Sequence, residues 1–485
     1  MSRFILLLLG CLWLVPAQAI SSPELPAAVI SALKSVGISP SHVGVVVWEA
    51  GKSEPRLAHK EKSSFNPASV MKLLTTYAGL DLLGPAYTWK NEVYVDGPIV
   101  KGVLDGNLYI KGYGDPYLTL ERFWLLLREL KLRGIDDIRG DVILDASYFP
   151  GDAPDPASFD GDPRRAYNAP PSALLVNFNS TTLRLATDSG VFLVNADPLP
   201  VPLILENHIQ IGSGSCNDWR DHLAMEYQKN NGTPRLVLTG TYALSCGEKT
   251  TEVNLGDPLD TTAGLFRALW AEQSGKLRGA VHAGLVPPAA RLFEQFDSPP
   301  LAEVLRSINK WSNNVMARHL FLTLGAEGKG PPARLDKSIA VMRGWLKAKG
   351  IDTSGVVLEN GAGLSRIERI RPINLAKLLQ DAWQSPLSSE LESSLPIVAV
   401  DGTMKSRGKD DDVAGHAHIK TGTLAGAKNL AGYLVDRNGR RWIVVFFIND
   451  LNAERGTDAQ DALLEWVYQG AGIRNQRTER SADPP

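Results

Sequence analysis

Asn66-Pro67-Ala68-Ser69-Val70-Met71-Lys72 reads as a nucleophile followed by its base. Pro67 fixes φ near the helical value and Asn66 can cap the first turn. The pattern predicts a helix that starts here, runs through Leu73, Leu74, Tyr77 and Leu80 to about Leu83, and stops near Gly84-Pro85. Ser69 then lies in the first turn with Lys72 three residues on, so hydroxyl and amine share one helix face. A serine hydroxyl becomes a useful nucleophile when a neighbouring base takes its proton, and a lysine kept neutral by its surroundings can be that base. The helix N-terminus adds favourable potential for developing negative charge. Spacing alone carries little, because Ser31/Lys34, Ser307/Lys310 and Ser406/Lys409 repeat it and each reads equally well as an exposed pair.

Outward from this stretch, Leu25 to Val36 has helical spacing and His42 to Trp48 is an apolar β run that fits a central strand. From about Trp89 the texture changes to short alternating stretches separated by Gly, Asp and Pro: Glu92 to Val95, Ile99 to Val103, Asn107 to Ile110, Val142 to Leu144, Thr182 to Ala186, Phe192 to Val194 and Leu236 to Thr239. One clear helix, Glu121 to Arg133, interrupts them. Helical texture returns at Thr261 to Ser274, and Ala280 to Leu285 closes the β-rich block. Helices follow from Leu301, near Ser312, over Arg334 to Lys349 and after Pro372. Three β runs then stand close together, His418 to Leu424, Leu430 to Val435 and Arg441 to Ile448, the last two joined around Asn438-Gly439, before a final helix from Ala459 to Tyr468.

The expected fold class is therefore α/β (α+β), one antiparallel sheet built from both chain ends and flanked by helices, interrupted by a large β-rich insertion. We place a first part of this domain at 20–90, the insertion (two domains) at 91–284, a second part at 285–474 and a polar, disordered tail at 475–485. No internal repeat is evident.

With 485 residues, the chain suggests about three domains, and 44% hydrophobic against 21% charged residues is a globular composition. Lys+Arg 51 against Asp+Glu 53 leaves no basic field for nucleic acid. Arg3, the apolar run Phe4 to Val15 and Ala17-Gln18-Ala19 predict a secretory signal peptide over 1–19, cut after Ala19, and hence a periplasmic protein. A competing reading takes Leu8-Leu9-Gly10-Cys11 as a lipoprotein site. It ranks second, because most of the apolar run would lie after the cut. No later segment is apolar for long enough to span a membrane. Cys216 and Cys246 remain, and in an exported chain such a pair reads most simply as a disulfide, with two buried thiols as the alternative.

Two further segments supply what a serine–lysine pair lacks. Ser312-Asn313-Asn314 opens a helix and Lys420-Thr421-Gly422-Thr423 lies on a strand. With Ser69 and Lys72 they make up the three-part set of β-lactamases and penicillin-binding proteins. Ser312 can relay a proton to a leaving nitrogen, and the Asn314 amide can hold a substrate backbone group by donating and accepting at once. Lys420 supplies positive charge for a substrate carboxylate, with the Thr421 and Thr423 hydroxyls beside it. Gly422 leaves room for substrate along the strand edge. The backbone N–H groups of Ser69 and Thr423 form the expected oxyanion hole. Taken singly, Ser312 reads as a helix cap and Lys420 to Thr423 as an ordinary strand edge. His416 and His418, near Asp410-Asp411-Asp412, lack the convergent ligands of a metal site, so neither metal nor cofactor is expected.

In these segments the sequence resembles the D-alanyl-D-alanine carboxypeptidases/endopeptidases of the low-molecular-mass class C penicillin-binding proteins, over nearly the whole mature chain. Further shared stretches are Gly106-Asn107-Leu108-Tyr109-Ile110-Lys111-Gly112-Tyr113-Gly114-Asp115-Pro116, Gly361-Ala362-Gly363-Leu364-Ser365-Arg366 and Leu395-Pro396-Ile397-Val398-Ala399-Val400-Asp401-Gly402-Thr403. The resemblance implies that Ser69 attacks the carbonyl between two terminal D-alanines of a peptidoglycan stem peptide, with Lys72 as base, and that β-lactam antibiotics inhibit by acylating the same serine. It also implies that the insertion is the family's pair of extra domains. Asn313 and Ala362 depart from the commoner Asp and Ser, at positions outside the proposed chemistry. A non-catalytic penicillin- or wall-binding module and a β-lactamase are the alternative readings. The intact set Ser69, Lys72, Ser312, Asn314 and Lys420 argues against the first, and the large insertion against the second.

Overall fold

Strand Val43–Glu49 (VGVVVWE) is buried along almost its whole length, so both of its faces need cover. The computed structural model, which describes residues 24–149, 155–188, 191–229 and 233–472, provides that cover. Val43–Glu49 lies inside a five-stranded antiparallel sheet in the order Ala417–Leu424, Ala427–Val435, Arg441–Asn449, Val43–Glu49, Leu57–His59. On one face Val45, Val47, Trp442, Val444 and Phe446 pack beneath helices Ala27–Ser35 and Thr457–Tyr468. On the other, Val46, Trp48, Ile443, Val445 and Phe447 meet Lys72–Leu83, Leu301–Lys310, Asn314–Lys329, Leu335–Ala348 and Pro372–Gln384. Period-two alternation divides one strand between two cores, which is the expected sheet from both chain ends. The Asn438-Gly439 connection spans 436–440. There the buried Asp436 carboxylate accepts from the Asn438 and Arg440 backbone N–H groups, and Gly439 takes φ +79°.

Between the two halves, Val103–Leu104, Asp137–Ile138 and Lys276–Leu277 stack in parallel. One glycine corner later Leu108–Gly112, Val142–Asp145 and Val281–Ala283 do the same, in matching register. A Cβ on Gly140 would lie 2.5 Å from the Gly106 carbonyl oxygen, and one on Gly279 would lie 2.3 Å from that of Gly140. Only glycine lets the three corners nest. This is a short structural repeat that the sequence reading did not find, because little beyond the corner glycine and the apolar spacing is shared. Parallel neighbours need crossovers, and helix Leu120–Leu132 supplies one, with Pro258–Glu272 leading into the third unit.

A second group of strands, Ser180–Asp188, Val191–Asp197 and Lys249–Asn254 in one sheet and three strands paired on Arg235–Ala243 in another, encloses a small core of Leu183, Leu185, Trp219, Leu236 and Tyr242. The Cys216–Cys246 disulfide closes it, with a Cα separation of 5.2 Å. One expected boundary moves. Strand Arg291–Asp297 pairs with Lys90–Val95, so the inserted sheet runs past 284 to 297. The run RLFEQFD is half exposed and weakly alternating, which hid it among the loop residues. The expected leader, Cys11 and the tail over 475–485 lie outside the described residues.

Candidate active site

The Asn66 side chain accepts from the Ala68 N–H at 2.9 Å and starts the nucleophile segment, but the expected continuous helix is split. Ala68–Met71 forms a 3₁₀ turn and the α-helix proper runs over Lys72–Leu83. Ala68 sits at φ +47°, with its carbonyl pressed against Gly363. A Cβ on Gly363 would come within 1.8 Å of that oxygen. The tight turn raises Ser69 into the cleft while Lys72 faces the interior, fully buried.

Lys72 Nζ lies 2.9 Å from Ser69 Oγ. Its other neighbours are Asn314 Oδ1 at 2.5 Å and the Ala362 carbonyl oxygen, two acceptors. A neutral amine has two N–H donors and one lone pair, so satisfying both acceptors aims the lone pair at the serine hydroxyl. Burial, aided by the Lys420 charge, holds the Lys72 pKa well below its ordinary value and favours that neutral form. The buried Glu368 opposes this. Glu368 Oε1 accepts the N–H groups of Glu359, Asn360 and Gly361, and so fixes the loop that presents the Ala362 carbonyl.

Ser312 adopts φ +58° just before helix Asn314–Lys329. Asn313, rather than Ser312, caps that helix by accepting from the Met316 N–H at 3.0 Å. Ser312 Oγ is thereby free to accept from Lys420 Nζ at 2.9 Å. Asn314 Oδ1 accepts from Lys72, and its amide N–H groups have no partner in that contact. Lys420 is fully buried, donates also to the Thr421 carbonyl at 2.7 Å, and has its pKa lowered to about 7 by burial. It stands behind the cleft wall rather than in it.

Strand Ala417–Leu424 is the sheet edge. The Ile419 N–H leaves the sheet to reach the Pro396 carbonyl, and period two turns the N–H and C=O of Thr421 and Thr423 the same way, toward the cleft. A Cβ on Gly422 would lie 2.8 Å from Ser69 N and 2.8 Å from the Pro67 oxygen. The space beside Gly422 that was expected for substrate is filled on its Cβ side by the nucleophile turn, which packs directly against the strand. Ser69, Ser312, Thr421, Gly422 and Thr423 line a cleft of about 370 Å³, with Lys72, Asn314 and Lys420 beneath it. Thr403, Arg407, Lys428, Asn429 and Gln460 complete the lining, and the sequence reading assigned none of them. Thr403 Oγ1 meets Thr421 Oγ1 at 2.7 Å. The Asp401-Gly402-Thr403 segment and the Gly361 loop were both visible as motifs without a role. Elsewhere, the His416 ring packs on Tyr468 and His418 Nδ1 meets the Glu392 carbonyl.

The family model for D-Ala-D-Ala carboxypeptidase 3 (S13) matches residues 25–469, which includes every one of these groups. The chain belongs to that family. It is a serine peptidase of the penicillin-binding class. It is similar to the D-alanyl-D-alanine carboxypeptidase of Actinomadura sp. (strain R39), 28% identical over 82% of this chain and 76% of that protein. It is also similar to D-alanyl-D-alanine carboxypeptidase DacB of Haemophilus influenzae, 25% identical over 84% and 85%. Its fold matches the crystal structure of penicillin binding protein 4 from H. influenzae with a TM-score of 0.77 at 23% identity, covering 91% of this chain and 99% of that one. The match to that structure extends over most of the described fold.

Proposed function

We propose that Ser69 is the nucleophile of this D-Ala-D-Ala carboxypeptidase and Lys72 its general base. The supporting observation is the Lys72 amine 2.9 Å from Ser69 Oγ with two carbonyl oxygens holding its other hydrogens. Neutral Lys72 takes the hydroxyl proton as Oγ attacks the carbonyl between the two terminal D-alanines of a peptidoglycan stem peptide. The developing oxyanion is received by the N–H groups of Ser69 and Thr423. Ser312, backed by Lys420, passes a proton to the leaving nitrogen while the Asn314 amide holds the peptide backbone. The terminal carboxylate lies on the Thr421 and Thr423 hydroxyls, in the positive field of Lys420. D-alanine departs, and water then hydrolyses the acyl ester. A β-lactam acylates the same oxygen. We place this chemistry outside the cytoplasmic membrane, after removal of residues 1–19, and treat 91–297 as the inserted domains. Among the described residues no helix is long and apolar enough to cross a membrane. The test is release of D-alanine from a stem pentapeptide: the protein should release it and Ser69→Ala should not. Equal release by both would remove Ser69 from the reaction.

A further inference from the structure

One short loop braces the nucleophile segment from behind. Residues 358–368 are closed at their base by the pairing of Val357 with Arg369. Along this loop Ala362 presents its carbonyl oxygen to Lys72 Nζ, Gly361 presents its own to Thr75 Oγ1 at 2.6 Å, and Ser365 presents its own to Asn66 Nδ2 at 2.8 Å. Gly363 packs on the Ala68 carbonyl. A shift of this loop therefore moves the Ser69 turn and the Lys72 amine together.

Glu368 holds the loop together. Its Oε1 accepts the N–H groups of Glu359, Asn360 and Gly361 at 3.0, 3.0 and 3.1 Å, and its own N–H donates to Ser365 Oγ at 2.9 Å. The residue is fully buried, and its Oε2 has no hydrogen-bond partner among the described residues. The three N–H groups favour the ionised carboxyl, against the burial that pushes its pKa up. A buried carboxylate with one oxygen unpartnered is a costly way to shape a loop, since a neutral glutamine offers the same acceptor. The charge has a use in the electrostatics of Lys72.

Among the described residues no carboxylate bonds to Lys72, whose partners are Ser69, Asn314 and Ala362. The charges that act on it are Lys420 and Arg318, which disfavour its ammonium form, and Glu368, which favours it. A general base must be neutral before the reaction and basic enough to accept a proton during it. With burial and two cations alone, Lys72 would be neutral but a weak base. We propose that Glu368 is a positioning residue for Lys72: its Oε1 fixes the loop that aims the amine, and its charge offsets the ammonium formed when Lys72 takes the Ser69 proton. This rests on the Ser69–Lys72 reading and deepens it. As Ser69 Oγ bonds to the substrate carbonyl carbon, its proton moves to Lys72 Nζ and then, through Ser312, to the departing nitrogen. Glu368 acts on the middle of that path and touches neither substrate nor reacting atoms.

The experiment follows the rate of benzylpenicillin acylation against pH, with kcat and KM for a stem pentapeptide, in the mature chain, Glu368→Gln and Glu368→Asp. Thermal melting checks that each variant is folded. Lys420, Arg318 and Glu359 remain in all three, so their titration is common to every profile. Glu368→Gln keeps an acceptor for the loop and removes the charge. Its acid limb should move down by roughly one pH unit and its plateau should fall about tenfold, with KM within about twofold of the parent. Glu368→Asp keeps the charge on a shorter arm, so its limb should stay at the parent position while the rate falls about tenfold through the loop. A residue that only shapes the loop would lower the rate without moving the limb. The proposal is overturned if the Glu368→Gln limb stays or moves up, or if the loss is carried by KM. Should Glu368→Gln not fold, Glu368→Asp decides: a limb displaced from the parent position overturns the proposal as well. Failure of the Ser69 reading looks different, because the parent protein would then take no penicillin adduct at any pH.

Discussion

The cleft and the disulfide-closed unit solve opposite problems. Around Ser69 the chain buries Lys72, Glu368 and Lys420, and close to Ser312 in sequence it buries Lys310. Each of these is costly in isolation and each is supported by specific partners: Lys72 by two carbonyls, Glu368 by three N–H groups, Lys310 by Asp401 at 2.6 Å, Lys420 by Ser312. The unit around Cys216 and Cys246 buries a handful of apolar side chains and holds its sheets with a covalent link. On the proposed mechanism, the first region keeps its polarity because the chemistry uses it. In the second, a core too small to be secure by itself is closed by a crosslink. Changes in the cleft should therefore cost rate, and changes in the stapled unit should cost stability.

The largest effect on rate should come from Lys72→Met, which removes the proposed base and the Lys72 donor to the Asn314 and Ala362 oxygens. Acylation by penicillin, followed by mass spectrometry, should slow on the order of a thousandfold or more. Gly422→Ala should come next. Its methyl meets Ser69 N and the Pro67 oxygen at 2.8 Å, so the strand must move off the nucleophile turn, and kcat should drop about a hundredfold as the oxyanion hole opens. A melting point little changed in that variant would show that the loss is geometric. Replacing both Cys216 and Cys246 by Ser should lower the stability of the inserted unit by roughly 3 kcal/mol, read by hydrogen exchange or proteolysis. Penicillin acylation should stay at the parent rate; a matching fall in acylation would break the division between the two regions.

The smallest effect concerns pH. The folded Lys420 pKa, near 7, lies below that of a free lysine, so its charge is lost as pH rises through neutrality. KM for the pentapeptide should rise roughly two- to fivefold from pH 6.5 to 8.5, because the field at the Thr421 and Thr423 hydroxyls weakens. Acylation should instead slow toward acid as Lys72 takes up its proton. A KM that is flat across that range would separate Lys420 from carboxylate binding.

Much of the site was legible because its groups lie in short local patterns. Ser69 and Lys72 share one turn, Asn314 opens a helix, and Lys420 to Thr423 occupy one strand whose period two also fixes which backbone groups face outward. The sheet was legible for a similar reason, since Val43–Glu49 and the three C-terminal runs are too apolar to lie elsewhere. Glu368 was not legible, because its role depends on three backbone N–H groups gathered by a loop, and no spacing encodes that. The function of Gly422 was misread because the atom it makes room for comes from residue 69, more than three hundred positions away. Lys428 could have been found: once the turn at Ala425-Gly426 is recognised, its place opposite Thr423 follows from the register. The parallel glycine corners at 106, 140 and 279 show the converse, a regular structure carried by too few shared residues to stand out.

The most direct test of the Ser69–Lys72 assignment is to incubate the mature protein with benzylpenicillin, digest it and locate the adduct by mass spectrometry. The account predicts one acyl group on the peptide that contains Ser69, absent in Ser69→Ala. An adduct on another serine, or equal labelling of Ser69→Ala, would contradict it.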